Sequence, residues 1–237
     1  MLKPSVNISS ETDFLDGTVL LFNKPLTWSS FDLVKKVRNI IKSSKKIRKI
    51  KVGHAGTLDP LADGLLIICT GKFTKKIDEI QVQKKVYTGE ITLGETTPSY
   101  DKETEVDKTF ETSHITDKLL HSTCKIFEGK IMQKPPIYSA LKRKGKRLYQ
   151  HAREGNIIEI KSRKVEIEEF EITGISIPKI QFRVVCSKGT YIRSLAFDFG
   201  LALKSGAHLS SLRREKIGEF DLKDAYSIES FQADILK

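Results

Sequence analysis

One stretch constrains this chain more than any other. Gly53-His54-Ala55-Gly56-Thr57-Leu58-Asp59-Pro60-Leu61-Ala62-Asp63-Gly64 passes straight into the apolar run Leu65-Leu66-Ile67-Ile68-Cys69. The pattern predicts a loop held between two β-strands. Its glycines permit φ > 0 and close approach of another backbone. Pro60 fixes its own φ and pushes Asp59 toward an extended geometry. An ionisable carboxylate therefore sits in a stiffened turn with His54 just upstream, and loops on rigid scaffolds commonly carry chemistry. A plainer reading stands beside it, in which Asp59 caps a helix or bonds its own backbone, as Asp-Pro pairs do.

Composition narrows the partners. With 237 residues, 39% of them hydrophobic, the chain forms one large or two small domains and needs no disulfide or metal to hold a core. Lys and Arg number 41 against 30 Asp and Glu, a net charge of +11. That balance attracts polyanions and argues for nucleic acid or an anionic surface. Cys69, Cys124 and Cys186 lie far apart in apolar or amphipathic segments, without metal-ligand spacing, and read as buried thiols in a reducing compartment. Met1 to Asp16 is polar and lacks an apolar signal core, and no run reaches membrane-spanning length. The expectation is a soluble cytoplasmic protein.

Along the chain, residues 1–16 read as a loose arm and Gly17 to Phe22 as a buried strand ended by Asn23-Lys24-Pro25. A helix follows, opened by Ser29 and Asp32 at capping-box spacing, with Phe31, Val34, Val37 and Ile41 repeating at helical intervals. Lys35, Lys36, Arg38, Lys42, Lys45, Lys46, Arg48, Lys49 and Lys51 form either a solvated face or a set of phosphate contacts. A short helix is expected after Thr70-Gly71-Lys72, through about Glu79. Residues 86–94 alternate as a strand carrying Tyr87, which packs in the core or offers its ring to a planar ligand. Residues 95–112 read as a polar loop, followed by a helix with Ile115, Leu119, Leu120, Cys124 and Phe127 on one side. From Gln133 to Tyr149, cations including Lys142 and Arg143 are interleaved with Tyr138 and Tyr149. This is a flexible basic loop or a surface for looped RNA, which asks for cations and stacking rings. Strands are expected at about 157–172 and at 180–186. A turn then leads into a helix from Tyr191 to Lys204 that Gly206 caps. Arg193 lies in that helix's first turn, against its dipole, so a specific anionic partner is expected.

Six stretches in order resemble the tRNA pseudouridine-55 synthases of the TruB family, over Gly17 to about Phe220. They are Asn23-Lys24-Pro25 before a Ser-Ser helix, Gly53 to Ala62, Lys85-Val86-Tyr87, Pro135 to Ala140, Cys186 to Leu195, and Gly206 to Arg214. The resemblance implies an α/β fold of mixed α+β type with a long, mostly antiparallel central sheet and an inserted RNA-binding arm. It also implies isomerisation of uridine to pseudouridine in the T-loop of tRNA. By the family's motifs, Asp59 matches the catalytic aspartate and Arg193 the arginine that pairs with it. An opposite charge so placed keeps a carboxylate ionised. Tyr87 matches the tyrosine that stacks on the uracil, and His54 the residue that fills the space left by the flipped nucleotide.

The RNA-facing set is completed by Lys24, Tyr138, Lys142, Arg143, Tyr191 and Leu209, with Lys24 and Pro25 supporting the active-site floor. Ala55 stands where a small hydroxyl- or methyl-bearing residue is commoner. The reaction is redox-neutral, so neither cofactor nor metal is expected. The implied organisation is an N-terminal arm over 1–16 and a catalytic domain over 17–237, with the RNA-gripping insertion at about 130–160 and no C-terminal PUA domain. That organisation favours a monomeric, stand-alone enzyme with tRNA as partner. Two alternatives stay open: the same chemistry on another structured RNA, and a non-catalytic RNA-binding or RNA-folding chaperone.

Overall fold

The computed structural model describes residues 8–139, 142–143, 146–147 and 160–236, the two dipeptides by backbone alone. In chain order the described elements are β1 (Val19–Lys24), α1 (Ser30–Ser44), β2 (Val52–His54), β3 (Ala62–Thr70), a 3-10 turn (Gly71–Lys76), α2 (Ile77–Gln81), β4 (Lys85–Leu93), β5 (Glu95–Thr96), β6 (Lys108–Thr109) and α3 (Asp117–Phe127). There follow β7 (Gly129–Gln133), β8 (Lys142–Arg143), β9 (Lys146–Arg147), β10 (Arg163–Ser176), β11 (Lys179–Cys186), α4 (Ile192–Ala202), β12 (Ala207–Ile217), β13 (Phe220–Asp221), a 3-10 turn (Leu222–Asp224) and α5 (Ile228–Asp234). The chain is a mixed α/β protein with a large, mostly antiparallel sheet. It folds as two compact units, Met1–Tyr87 with Leu212–Lys237, and Thr88–Ser211.

In the first unit, β1 pairs antiparallel with β3 from Val19↔Cys69 to Lys24↔Gly64, and β3 pairs parallel with β12 at Leu212↔Ala62 to Arg214↔Gly64. Alternation of side chains divides the apolar run between two cores. Leu20, Phe22, Leu66 and Ile68 face α1 and α5 with Leu33, Val37, Ile41 and Phe231. Val19, Leu21, Leu65, Ile67 and Cys69 face Ile80, Ile217 and Phe220. A strand buried on both faces reads as continuous apolar sequence, which is why Leu65 to Cys69 shows no alternation. The free edge of β1 is covered by the returning tail, where Asn23 N donates to Tyr226 O (2.9 Å) and Tyr226 N to Leu21 O (2.8 Å).

The capping box of α1 forms as its spacing predicts: Ser29 and Asp32 exchange side-chain and backbone hydrogen bonds. Phe31 differs from expectation and lies exposed, while Leu33 and Ile40 join the buried face. Residues 8–16 are not loose. Ile8 and Phe14 enter the first core, Phe14 edge-on to Phe231 at 6.3 Å, and Lys45 Nζ donates to the carbonyls of Ser9 and Ser10. Arg38 likewise donates to Val52 O (3.1 Å), so two cations of the run read as a solvated face or as phosphate contacts tie the fold together.

In the second unit the strand order is β12-β4-β11-β10-β7. Gly89 lets β12 come close, since a Cβ there would lie 2.3 Å from Ser211 O. Residues 95–112 are more ordered than a loop, because β5 pairs with β6. Strand β10 begins at Arg163, later than its expected start, and residues 157–159 lie outside the described residues. The end of α4 also departs from expectation. Lys204 takes the left-handed turn (φ 55°) and Ser205 N donates to Gly200 O (3.1 Å), a Schellman closure made two residues before Gly206. All three cysteines are buried free thiols, and burial pushes Cys69 and Cys124 up to about 12. Among the described residues no helix is long and apolar enough to cross a membrane.

Candidate active site

Asp59 sits, half-buried, in the turn between β2 and β3, and three other elements hold that turn. Ser30, first residue of α1, accepts from Leu58 N (2.8 Å) and donates to Leu58 O (3.0 Å). Thr27 N donates to Pro60 O (2.8 Å) from the approach to the same helix. From β12, the fully buried Arg214 donates through Nε to Leu65 O (2.8 Å), through Nη2 to Gly56 O (3.0 Å) and through Nη1 to Thr57 O (3.4 Å). Ala62 N closes the turn on Asp59 O (3.1 Å). Ala55 is fully buried, its N donating to Ile67 O (2.8 Å). Gly64 makes the brace possible: its φ is 99°, and a Cβ there would lie 2.5 Å from Arg214 O. The turn is therefore rigid because guanidinium, hydroxyl and backbone partners take up its own polar groups, which would otherwise be costly to bury.

Lys24 is fully buried beneath this turn and donates to Trp28 O (2.6 Å) and Pro25 O (2.9 Å). Its ammonium is thus occupied inside the fold, where the floor-supporting role expected of Lys24 and Pro25 would place it. Burial lowers its pKa to about 8, with the nearby Asp63 and Asp59 charges opposing that and Arg214 adding to it. His54 ends β2 half-buried. Its pKa is lowered, first by burial and then by the Arg214 charge, so its imidazole is neutral near pH 7. Tyr87 is buried on β4.

The second unit holds the remaining expected residues. Arg193 is buried in the first turn of α4, and its anionic partner there is Asp101, with Nη1 3.4 Å from Asp101 Oδ2 and 3.4 Å from Ser99 O. Leu209 is buried on β12, its N donating to Tyr100 O (2.9 Å). Tyr191 caps α4, exchanges hydrogen bonds with Gln133 (2.8 and 3.0 Å) and carries the Arg163 guanidinium over its ring at 4.6 Å. Tyr138 is half-buried. Lys142 and Arg143 pair with Lys146 and Arg147 as a short hairpin, and Tyr149 lies outside the described residues.

The residues that sequence reasoning missed are Arg214, Ser30 and Asp101. A charged residue in a strand carries no hydropathy signal of burial, and Arg214 meets its three carbonyls only across the sheet. Ser30 was hidden behind the cap at Ser29. Asp101 lay in a stretch read as solvated loop. Among the described residues no cluster of His, Cys, Asp and Glu is arranged to hold a metal ion.

Comparison with known proteins decides the family. Residues 42–192 match the description "TruB family pseudouridylate synthase (N terminal domain)", and residues 193–237 match "tRNA pseudouridylate synthase B C-terminal domain". This chain belongs to the TruB family of pseudouridine synthases. Among its relatives, a protein of Flavobacterium johnsoniae named tRNA pseudouridine synthase B is 61% identical over 93% of this chain and 96% of its own length. One of the same name from Parabacteroides distasonis is 54% identical over 92% of each. A solved chain titled "Crystal Structure of a Cbf5-Nop10-Gar1 Complex" shares the fold with a TM-score of 0.69 and 25% identity, covering 98% of this TruB-family chain and 60% of that one. The chain is thus an enzyme of the pseudouridine synthase class with that class's mixed α/β fold.

Proposed function

We propose that this enzyme converts uridine 55 in the T-loop of tRNA to pseudouridine, with Asp59 as the catalytic carboxylate. The observation that carries the reading is the bracing of the Asp59 turn by Arg214, Ser30 and Thr27. A catalytic group must be held within a fraction of an ångström of its productive position. A carboxylate that merely capped a helix would need no such brace. The relatives named tRNA pseudouridine synthase B support tRNA as substrate, as does the net charge of +11.

The chemistry detaches uracil from ribose at N1–C1′, turns the base, and rejoins it through C5; the C5 proton leaves and N1 gains one, so the product is an isomer. An ionised Asp59 serves any of the routes to bond cleavage: attack at C1′, addition to the base, or removal of the C2′ proton. By the family's motif Arg193, held by Asp101, is the arginine assigned to keep Asp59 ionised. Tyr87 stacks on the extruded uracil, and His54, as a neutral ring, fills the space the nucleotide vacates.

The test is incubation of purified enzyme with an unmodified tRNA transcript and a minimal T-arm hairpin, in EDTA without cofactor, with pseudouridine mapped by chemical-adduct primer-extension stops. Conversion at the single T-loop uridine in both RNAs, lost in Asp59→Ala, is the expected result. Conversion at another uridine would overturn the position, and binding without conversion would turn the reading to another RNA target or to an RNA chaperone.

A further inference from the structure

The turn Ser99-Tyr100-Asp101 contains a backbone outlier. Tyr100 has φ 65°, a left-handed conformation that glycine and asparagine adopt cheaply and a bulky aromatic residue does not. Such outliers persist only where surrounding contacts over-determine them, and they concentrate at working sites. Here the contacts are specific. Tyr100 N donates to Thr97 O (3.1 Å) and Tyr100 O accepts from Leu209 N (2.9 Å). Its ring stacks on Phe197 with centroids 4.0 Å apart and planes at 21°. The Asp101 carbonyl is held by Thr97 Oγ1 (2.7 Å) and Ser99 Oγ (3.1 Å).

Phe197 follows Arg193 by four residues on α4, so the two side chains share one helix face. Three consecutive residues of the turn lie along that face. The outer two offer Arg193 the Ser99 carbonyl and the Asp101 carboxylate, and the middle one is fastened to Phe197. The polarity of the turn depends on Tyr100. With φ relaxed to a negative value, the Ser99–Tyr100 peptide would rotate, turning the Ser99 carbonyl away and carrying Asp101 with it.

We propose that Tyr100 is a positioning residue of the reaction: its stack on Phe197 holds the left-handed turn that aims the Arg193 guanidinium. The residue does not touch substrate and acts only through Arg193, so its catalytic consequence rests on the role given to Arg193 above. The ring makes the contact, and the hydroxyl has no part in it.

The experiment compares Tyr100→Ala, Tyr100→Phe and Arg193→Ala with wild type in steady-state kinetics on tRNA transcript, after matching thermal melts and RNA affinity. A second readout, independent of catalysis, is the NMR resonance of the Arg193 side chain, whose guanidinium rotation is slow when held and fast when released. Tyr100→Ala is expected to lower kcat on the order of 10- to 100-fold while KM stays within about threefold, and to release the Arg193 resonance. Tyr100→Phe should restore most of that kcat and keep the resonance restricted. Tyr100→Ala should add no further loss to an Arg193→Ala background. A restricted Arg193 resonance in Tyr100→Ala overturns the clamp. A released resonance with Arg193→Ala still fully active leaves the clamp standing and overturns the catalytic reading of Arg193 instead.

Discussion

Two turns in this protein set an aspartate in a rigid frame with a buried arginine, and they are built in opposite ways. At the Asp59 turn, Arg214 directs its guanidinium to the backbone carbonyls of Gly56, Thr57 and Leu65, so this arginine fixes the loop. At the Asp101 turn, Arg193 takes the carboxylate itself, together with one carbonyl. The first arrangement fixes a loop through its backbone. The second holds an arginine by means of a carboxylate. An aspartate near a buried arginine therefore has no fixed meaning; which atoms the guanidinium engages decides whether it braces a backbone or pairs with the acid.

The sharpest way to break that contrast is to exchange each carboxylate for its amide. Asp59→Asn is expected to abolish pseudouridine formation while RNA affinity stays within about threefold; Asp101→Asn, which keeps an acceptor for Arg193, should lose only about ten- to a hundredfold in kcat. Equal losses in a single-turnover assay would erase the distinction between the two turns. Arg214→Lys comes next, because one ammonium cannot serve three carbonyls spread around a planar fork. The expected cost is on the order of 3 kcal/mol, read as a melting point lower by roughly 6–12 °C. Ser30→Ala removes both hydrogen bonds to Leu58. A loss of about 1–2 kcal/mol is expected, with a fall in kcat larger than a melt shift of that size explains.

The smallest effect concerns Asp198, on α4 next to Phe197 in sequence. Burial raises its pKa to about 6 from an ordinary 3.8. The folded protein therefore binds this proton more tightly than the unfolded chain does. Its ionisation opposes folding fully above pH 6, and that penalty fades as pH falls from 6 toward 4. Asp198→Asn should raise the melting point by roughly 2–4 °C at pH 8, with the gain vanishing near pH 4. A gain independent of pH would show that the substitution acts by packing and not by charge.

How much was legible follows from where each signal resides. The Ser29–Asp32 cap and the Asp59 loop were readable because glycine, proline and capping residues act on their immediate neighbours. The paired apolar strands were readable because burial leaves its pattern in hydropathy. The order of residues 8–16 is not legible because Ile8 and Phe14 find their partners far along the chain, Phe14 against Phe231. That Arg38 and Lys45 bond carbonyls of the fold is not legible, because a cation bonded to a carbonyl looks no different in sequence from a solvated one.

The sequence by itself determined the alternation of apolar segments, the capped helix, the strong positive charge and the motif that places this chain among pseudouridine synthases. These are properties of short windows or of composition. Only the tertiary structure decided that Arg214 serves the Asp59 turn, that Lys24 lies beneath it, and that Arg193 finds Asp101. Each of those joins groups whose separation along the chain is unrelated to their distance in space. The charge or hydrogen bond that links them has no expression in sequence until the sheet register brings them together.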